Sequence, residues 1–306
     1  MAVPSFGAAT TMPSQANDEP AAAGGGKNMV HNKQGIDMLH GRIWTKVLRF
    51  ALPVAATGIL EQLFNASGIM IVGNFSQSDG TAAVAAVGSN APVTGLILNL
   101  FIGIALGANV VIANAIGRGS REAVRNAVHT SIVTALIGGV IVAIIGELLA
   151  GPLLGMLNVT ADVFPLALAY LRIYLIGMPV ILLYNFETAI FRSIGDTQAP
   201  LAVLAISGVL NVTMGLIFVV LFHWGVSGVA TATVIANVVS SMILLYRLVH
   251  TDAAIHVDLR EFGIDWFTLR QILRIGLPAG VQSAVFAVAN IIIQAAINSL
   301  GTVVMA

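Results

Sequence analysis

The sequence predicts an all-α, polytopic membrane helix bundle, in which a six-helix repeat is followed by the first helix of a second, parallel repeat. Composition is the first reason, because 57% of the 306 residues are hydrophobic and 9% are charged, against roughly 25% charged in an ordinary soluble domain. The second reason is the length of the uncharged runs, such as 82–117 and 275–306. About 20 apolar residues are enough for a helix to cross the bilayer's hydrocarbon core. The third reason is an internal repeat whose two copies begin near Pro53 and Pro278.

Composition also excludes several classes of function. The 14 basic and 14 acidic residues give no net charge, so there is no overall positive field to attract nucleic acid. The chain has no cysteine, which removes disulfides, thiol catalysis and cysteine-based metal sites. The six histidines do not form a metal-binding pattern, and Gly24–Lys27 lacks the rest of a phosphate-binding loop. The sequence therefore predicts no enzyme activity, no resident cofactor, no metal site and no nucleic-acid partner.

Four segments follow along the chain. Residues 1–35 are rich in Ala, Gly, Pro, Ser and Asn without apolar periodicity, which is typical of a disordered tail. Residues 36–250 are expected to form the six-helix transmembrane bundle. Residues 251–271 are expected to form a cytoplasmic linker, and 272–306 the first helix of an incomplete second bundle.

Seven membrane spans are predicted from the apolar runs. We expect them at about 47–73, 82–116, 126–150, 166–190, 199–222, 226–247 and 272–300. The second span is too long for a straight perpendicular crossing, so it is expected to tilt, to protrude or to break at Gly103 and Gly107.

The basic residues predict the orientation of the spans. Thirteen of the 14 Lys and Arg lie before span one or in the loops after spans two, four and six, and Arg172 is the exception. Cytoplasmic loops of membrane proteins carry this excess of positive charge. We therefore expect a multi-pass protein of the plasma (inner) membrane with its N-terminus in the cytoplasm.

The linker between spans six and seven has an apolar period of its own. Leu259, Phe262, Trp266, Leu269 and Leu273 recur at helical spacing. This pattern fits a helix lying in the cytoplasmic interface of the membrane. A linker packed against the bundle fits it equally well.

The entries to spans one and seven resemble each other. Arg49-Phe-Ala-Leu-Pro53 matches Arg274-Ile-Gly-Leu-Pro278, and Asn65 and Asn290 each lie twelve residues after the proline. Six spans separate the copies, and an even number returns the chain to the same side, so the repeat is parallel. Parallel repeats pack as two bundles with a binding site between them. The chain stops one span into its second repeat, so the sequence is expected to be truncated.

Glu61 is the leading candidate for a functional residue. It lies in the middle of span one, where an ionisable side chain costs about 2.5–3.5 kcal/mol on insertion scales. Thr57, Glu61 and Asn65 are spaced by four residues and so share one helix face. We expect Glu61 to carry a proton, with Gln62 and Asn65 as hydrogen-bonding neighbours; a purely structural buried acid is the alternative.

The remaining candidates are polar residues in other spans. Arg172 could pair with a carboxylate or face an aqueous cavity, and Glu187 is either a gate or cavity residue or an end charge. Asn99, in span two with Gly103 and Gly107, either supports helix packing or lines the cavity, and Asn211 carries the same ambiguity. The predicted cavity set is Glu61, Gln62, Asn65, Asn99, Arg172, Glu187 and Asn211.

In its motifs the sequence resembles the multidrug and toxic compound extrusion (MATE) family. The resemblance rests on the Pro53 segment followed by Gln62-Leu-Phe-Asn65, and on segments further along the chain. These are Ala85-Ala-Val-Gly88, Gly103-Ile-Ala-Leu-Gly107, Ile116-Gly-Arg-Gly119, Tyr170-Leu-Arg-Ile173 and Arg192-Ser-Ile-Gly-Asp196 followed by Pro200. Together they cover about residues 36–306, which correspond to the family's first bundle and seventh helix.

The resemblance implies twelve helices in two bundles, with a central cavity open to one side at a time. It also implies a monomer that exports cationic or amphiphilic compounds by antiport with H⁺ or Na⁺. Two positions depart from the family pattern. Gly68 stands where the family often has an aspartate, and Gly215 stands where it often has an acid four residues after Asn211. We expect Glu61 to substitute for these carboxylates.

Two other functions compete with export of organic cations. The first is a flippase for a lipid-linked or polyanionic substrate, which would need a basic cavity, and Arg172 is the one basic residue within the spans. The second is a non-transporting remnant, since one bundle and one further helix could not enclose a cavity.

Overall fold

The computed structural model describes residues 43–76, 80–157, 159–258 and 263–299, and the side chains of all of these except 43, 45, 46 and 290–299. In this part the chain forms eight α-helices. The helices are α1 Ile43–Phe75, α2 Gly80–Gly117, α3 Arg121–Met156, α4 Phe164–Ile176, α5 Met178–Ser193, α6 Gln198–Leu216, α7 Gly225–Val249 and α8 Trp266–Ser299. A π-helical turn, Ile217–Leu221, continues α6. The predicted tail, 1–35, lies outside the described residues.

Six of the described helices are long and apolar enough to cross a membrane, and the number reaches the predicted seven if the bent pair formed by α4 and α5 is one span. The all-helical membrane fold is therefore the one that composition and hydropathy predict.

A 53° bend lies in the fourth span, between α4 and α5. Pro179 is the second residue of α5 and has no N–H to donate to the preceding turn, which favours a break at this point. Gly177, between the two helices, packs so closely that an added Cβ would lie 2.4 Å from Val234 Cγ2. In the second span, for which tilt, protrusion or a break was expected, the break at Gly103 and Gly107 does not occur, because α2 continues unbroken through both.

Gly103 and Gly107 instead bring α2 against α8. A Cβ on Gly103 would lie 2.1 Å from Gly280 Cα, and a Cβ on Gly107 would lie 2.4 Å from the Ile272 carbonyl oxygen. Small residues spaced by four let two helix backbones approach this closely. Gly276 and Gly280 supply the same spacing on α8, so the two helices share a seam of four glycines.

The linker before α8 packs against the bundle. Residues 251–258 contain no helix and bury Ala253, Ile255 and Val257. The Asp258 N–H donates to His129 Nε2 on α3 (3.2 Å), and the Asp265 N–H donates to Thr130 Oγ1 (3.1 Å). The packed linker is thus the alternative that the structure favours, and Trp266 and Leu269 belong to the first turns of α8. Residues 259–262 lie outside the described part.

Asp265 caps the N-terminus of α8. Its carboxylate accepts hydrogen bonds from the N–H groups of Phe267 and Thr268 and from the Thr268 hydroxyl. The Thr268 hydroxyl bond is the largest of the causes that lower the pKa of Asp265. Because the folded protein favours the carboxylate, this stabilisation is present above the ordinary aspartate pKa and is lost as pH falls through the lowered value.

We expect Asp265→Ala to reduce the free energy of unfolding by about 1 kcal/mol, as loss of a helix N-cap does. Thermal unfolding in detergent at neutral pH and at a pH below about 4 checks this. Asp265→Asn is the matched control, because asparagine caps a helix equally well but does not titrate. If Asp265→Ala and wild type differ equally at both pH values, the carboxylate does not supply the stabilisation.

Candidate functional site

A cavity of about 160 Å³ lies among the helices of the first bundle. Residues of α1, α2, α4, α5, α6 and α7 line it. Its polar lining consists of Glu61, Asn65, Asn185, Ser207, Asn211, Thr233, Asn237 and Ser240, and its aromatic lining of Phe64, Tyr174 and Tyr184. The cavity is therefore built around polar groups set among apolar helices, as small-molecule sites generally are.

Close packing of α1 on α6 places Glu61 at the cavity. The Phe64 ring lies directly on Gly208, where an added Cβ would be 1.9 Å from the ring. Thr57 lies one turn before Glu61 and Pro53 lies two turns before it, so both occupy the same helix face as Glu61. The Thr57 hydroxyl donates to the Pro53 carbonyl oxygen (2.8 Å) and is buried. The predicted polar stripe thus has two parts. Thr57 is buried and structural, whereas Glu61 and Asn65 line the cavity.

Glu61 is the one charged side chain among the residues that line the cavity. It is solvent-accessible, so it can exchange an ion with the cavity's contents. Arg192, at the C-terminal end of α5, lies within electrostatic range of the carboxyl group but does not line the cavity. The site therefore has one acidic side chain at the cavity surface, and the positively charged Arg192 lies outside the cavity lining.

The hydroxyl groups of Ser207, Thr233 and Ser240 present hydrogen-bond acceptors to the cavity. All three donate to backbone carbonyl oxygens of their own helices. The Asn237 amide nitrogen donates to the Thr233 carbonyl oxygen (2.9 Å), and the Asn211 amide nitrogen donates to Thr233 Oγ1 (3.3 Å), which joins α6 to α7.

These bonds determine the polarity of the lining. A carbonyl oxygen can only accept, so the bonded atom of Asn237 is nitrogen and its amide oxygen stays available. The hydroxyl groups, having donated, offer only lone pairs. Oxygen acceptors next to a carboxyl group suit a cation or a hydrogen-bond donor better than an anion.

Four of the predicted cavity residues lie elsewhere. Gln62 is exposed and does not line the cavity, and the Asn99 amide donates to Gly95 O of its own helix (2.7 Å). Arg172 of α4 pairs with Glu147 of α3, with Nε 3.0 Å from Oε1. Glu187 is completely buried behind the cavity wall. Glu61, Asn65 and Asn211 are the predicted residues that the cavity brings together.

Gly68 and Gly215, the glycines at the two positions where the resemblance led us to expect acids, pack between helices. A Cβ on Gly68 would lie 3.2 Å from Val229 Cγ1, and a Cβ on Gly215 would lie 3.5 Å from Ile71 Cδ1. Neither glycine lines the cavity.

Sequence reasoning missed much of the neutral lining, namely Asn185, Ser207, Thr233 and Ser240. One signal was available, because Thr233, Asn237 and Ser240 are separated by four and three residues and therefore share a helix face. The helix-crossing bonds of Asn90 to Ala167 O (3.0 Å) and Asn109 to Ala189 O (2.8 Å) were also missed.

The sequence profile of the MatE family matches residues 53–217, which include α1, the broken span and the cavity residues of α6. The chain belongs to the MATE family. It is 27% identical over 267 residues to the probable multidrug resistance protein YoeA of Bacillus subtilis, covering 85% of this chain and 57% of YoeA. Against the probable multidrug resistance protein NorM of Thermotoga maritima, identity is 28% over 256 residues, covering 79% of this chain and 52% of NorM.

A solved MATE structure, described as the straight conformation, superposes with a TM-score of 0.78 at 27% identity. The match covers 88% of this chain and 59% of that structure. This MATE chain thus spans little more than half the length of the relatives it matches. The MATE family is a family of membrane-embedded multidrug efflux transporters.

Proposed function

We propose that this MATE protein exports cationic or amphiphilic small molecules by antiport with H⁺ or Na⁺, and that Glu61 binds the coupling ion. The observation that carries the proposal is the cavity itself, in which a solvent-accessible Glu61 is the one charged side chain among neutral polar and apolar lining residues. Such a lining favours cations. The parallel repeat supports alternating access, in which two bundles rock around a site between them.

The cavity argues against the competing flippase for a polyanionic substrate. That function requires basic side chains at the cavity, whereas Arg172 is paired with Glu147 and Arg192 does not line the cavity. The remaining lining groups are uncharged.

Transport in everted membrane vesicles tests the proposed function. We expect vesicles carrying the full-length protein to accumulate a fluorescent organic cation when an ion gradient is imposed. Loss of accumulation with a protonophore identifies H⁺ as the coupling ion, and loss when the Na⁺ gradient is removed identifies Na⁺. Accumulation that survives both treatments contradicts antiport. Transport of a lipid-linked anion without transport of the organic cation favours the flippase.

A further inference from the structure

The first turns of α8 expose aromatic and basic side chains. Trp266 and Phe267 are 76% and 70% exposed, and the side chains of Arg270 and Arg274 are exposed as well. Trp266, Arg270 and Arg274 are spaced by four residues, so they lie on one face of the helix, and Phe267 adjoins it. The opposite face is packed, because Ile272 is completely buried. The four exposed side chains are called the basic-aromatic face below.

The two arginines of the basic-aromatic face have no counter-charge on the protein. Neither Arg270 nor Arg274 makes an ion pair or a side-chain hydrogen bond within the part of the chain that the structure describes. The helix itself contains no acidic residue. The carboxylate of Asp265, just before it, is engaged in capping the helix. Both positive charges are therefore available to an anion from outside the bundle.

The basic-aromatic face lies where α8 enters the membrane. The apolar segment of this helix that is long enough to cross a bilayer begins at Trp266 and extends to Ala289. Tryptophan is enriched at the boundary between water and hydrocarbon. Arginine at that depth keeps its guanidinium group in the polar layer while its stem covers apolar surface. The phosphate groups of the lipids occupy the same polar layer.

Further along α8 the same helix face becomes apolar. Leu277, Val281 and Val285 are exposed and continue the stripe at intervals of three and four residues. From Arg274 to Val285 the helix rises about 16 Å, and one leaflet contributes about 15 Å to the hydrocarbon core. The face therefore offers charge at the depth of a lipid headgroup and an apolar strip about as long as its acyl chains.

Other basic residues lie at the same end of the bundle. α2 and α8 run antiparallel along their seam of glycines, so the end of α2 and the start of α3 lie beside the start of α8. Arg118 and Arg121 are exposed there, and Glu122 is the acid next to them in the sequence. A surface with an excess of basic residues beside a membrane attracts anionic lipids.

We propose that the basic-aromatic face binds an acidic phospholipid, with the headgroup phosphate at Arg270 and Arg274 and an acyl chain along Leu277 and Val281. Guanidinium groups hold phosphate oxygens through charge-assisted hydrogen bonds. The alternative occupant is the second bundle of the complete protein. Contact with that bundle would bury two unpaired guanidinium groups, which is costly unless carboxylates face them. A lipid phosphate supplies the opposite charge without that cost.

Fluorescence quenching by brominated lipids tests the site in the purified full-length protein. The protein is reconstituted in vesicles of equal parts phosphatidylglycerol and phosphatidylcholine, of which one carries bromine on its acyl chains. The emission of Trp266 is the part that is lost in Trp266→Phe. We expect brominated phosphatidylglycerol to quench it more strongly than brominated phosphatidylcholine. The relative affinity for phosphatidylglycerol should fall about fivefold in Arg270→Gln and in Arg274→Gln, and further in the double variant.

Two double variants are the controls. Arg270→Lys with Arg274→Lys keeps the charge and should keep most of the preference for phosphatidylglycerol. Arg118→Gln with Arg121→Gln removes the same charge from the same end but leaves the basic-aromatic face intact, so it should also keep most of it, because salt screens the more distant exposed charges.

Four results overturn the proposal. Equal quenching by the two lipids in wild type means that the headgroup is not recognised. A preference that survives the loss of both Arg270 and Arg274 means that the arginines do not bind it. An equal loss in Arg118→Gln with Arg121→Gln shows a general effect of surface charge instead of a site. No quenching by either lipid shows that the second bundle covers the face.

Discussion

Replacing Glu61 with glutamine is expected to abolish gradient-driven export by this MATE protein while leaving its fold intact. Glutamine has the same shape but cannot release a proton or bind a cation by charge. Glu61 is the one charged residue that lines the cavity, so its replacement leaves no acid there. We expect gradient-driven accumulation of the organic cation to fall by about a hundredfold or more, within the range for loss of a positioned acid or base.

The fold should tolerate the change because Glu61 is exposed rather than packed. Substitutions at such positions usually alter stability by less than about 0.5 kcal/mol. Thermal unfolding and chromatographic behaviour in detergent check this alongside transport. Glu61→Asp keeps a carboxyl group and should retain part of the activity. Glu147→Gln removes an acid from an ion pair outside the cavity and should retain nearly all of it.

The opposite outcome is equally informative. Export by Glu61→Gln at the wild-type rate would show that the coupling ion binds elsewhere, even though the cavity remains the place where a cation would be accommodated. Equal loss of export in Glu61→Gln and Glu147→Gln would show a general effect of removing membrane carboxyl groups.

The helices could be predicted from the sequence because a membrane span requires only length and hydropathy. Glu61 could be predicted as well, since an ionisable residue within a span is rare and costly. Asn65 could be predicted as a cavity residue because it lies four residues after Glu61 on the same helix face. These inferences use properties of one helix at a time.

The rest of the site depends on how the helices are rotated about their axes. Asn and Ser residues are common in spans because they can bond to a carbonyl oxygen one turn back, as Asn99 and Ser240 both do. That bond gives no indication of which helix face meets the cavity. The pairing of Arg172 with Glu147 likewise joins two helices, so the sequence left it as one of two alternatives.

Glycine spacing was the most ambiguous signal. In α2 the four-residue spacing favoured a close contact between helices, while the length of the span also allowed a break in the helix at the same glycines. Identifying the contact required pairing Gly103 and Gly107 with Gly276 and Gly280, more than 160 residues away in the sequence. In the fourth span, Gly177 and Pro179 marked the actual break, but a proline within a span is compatible with a continuous helix, as Pro53 in α1 shows.

The seam between α2 and α8 leads to the largest expected effect on stability. A Cβ on Gly103 would lie 2.1 Å from Gly280 Cα, and a Cβ on Gly280 would lie 2.4 Å from the Leu100 carbonyl oxygen. The opposing atoms are backbone, so no side chain can rotate away to make room. We therefore expect Gly103→Leu to push α8 away from α2 and to reduce the free energy of unfolding by about 3 kcal/mol or more, at or beyond the upper part of the range for overpacking.

Gly95 provides the matched control, because it lies on the same helix and an added Cβ would meet no atom within 4 Å. Thermal unfolding of Gly103→Leu, Gly95→Leu and wild type in one detergent separates the effect of the seam from any general effect of leucine in α2. Equal midpoints for the two variants would mean that α8 does not pack on α2 through Gly103. A low midpoint for Gly103→Leu alone would show that α8 is held to α2 by backbone contact, a kind of packing that is specific to glycine.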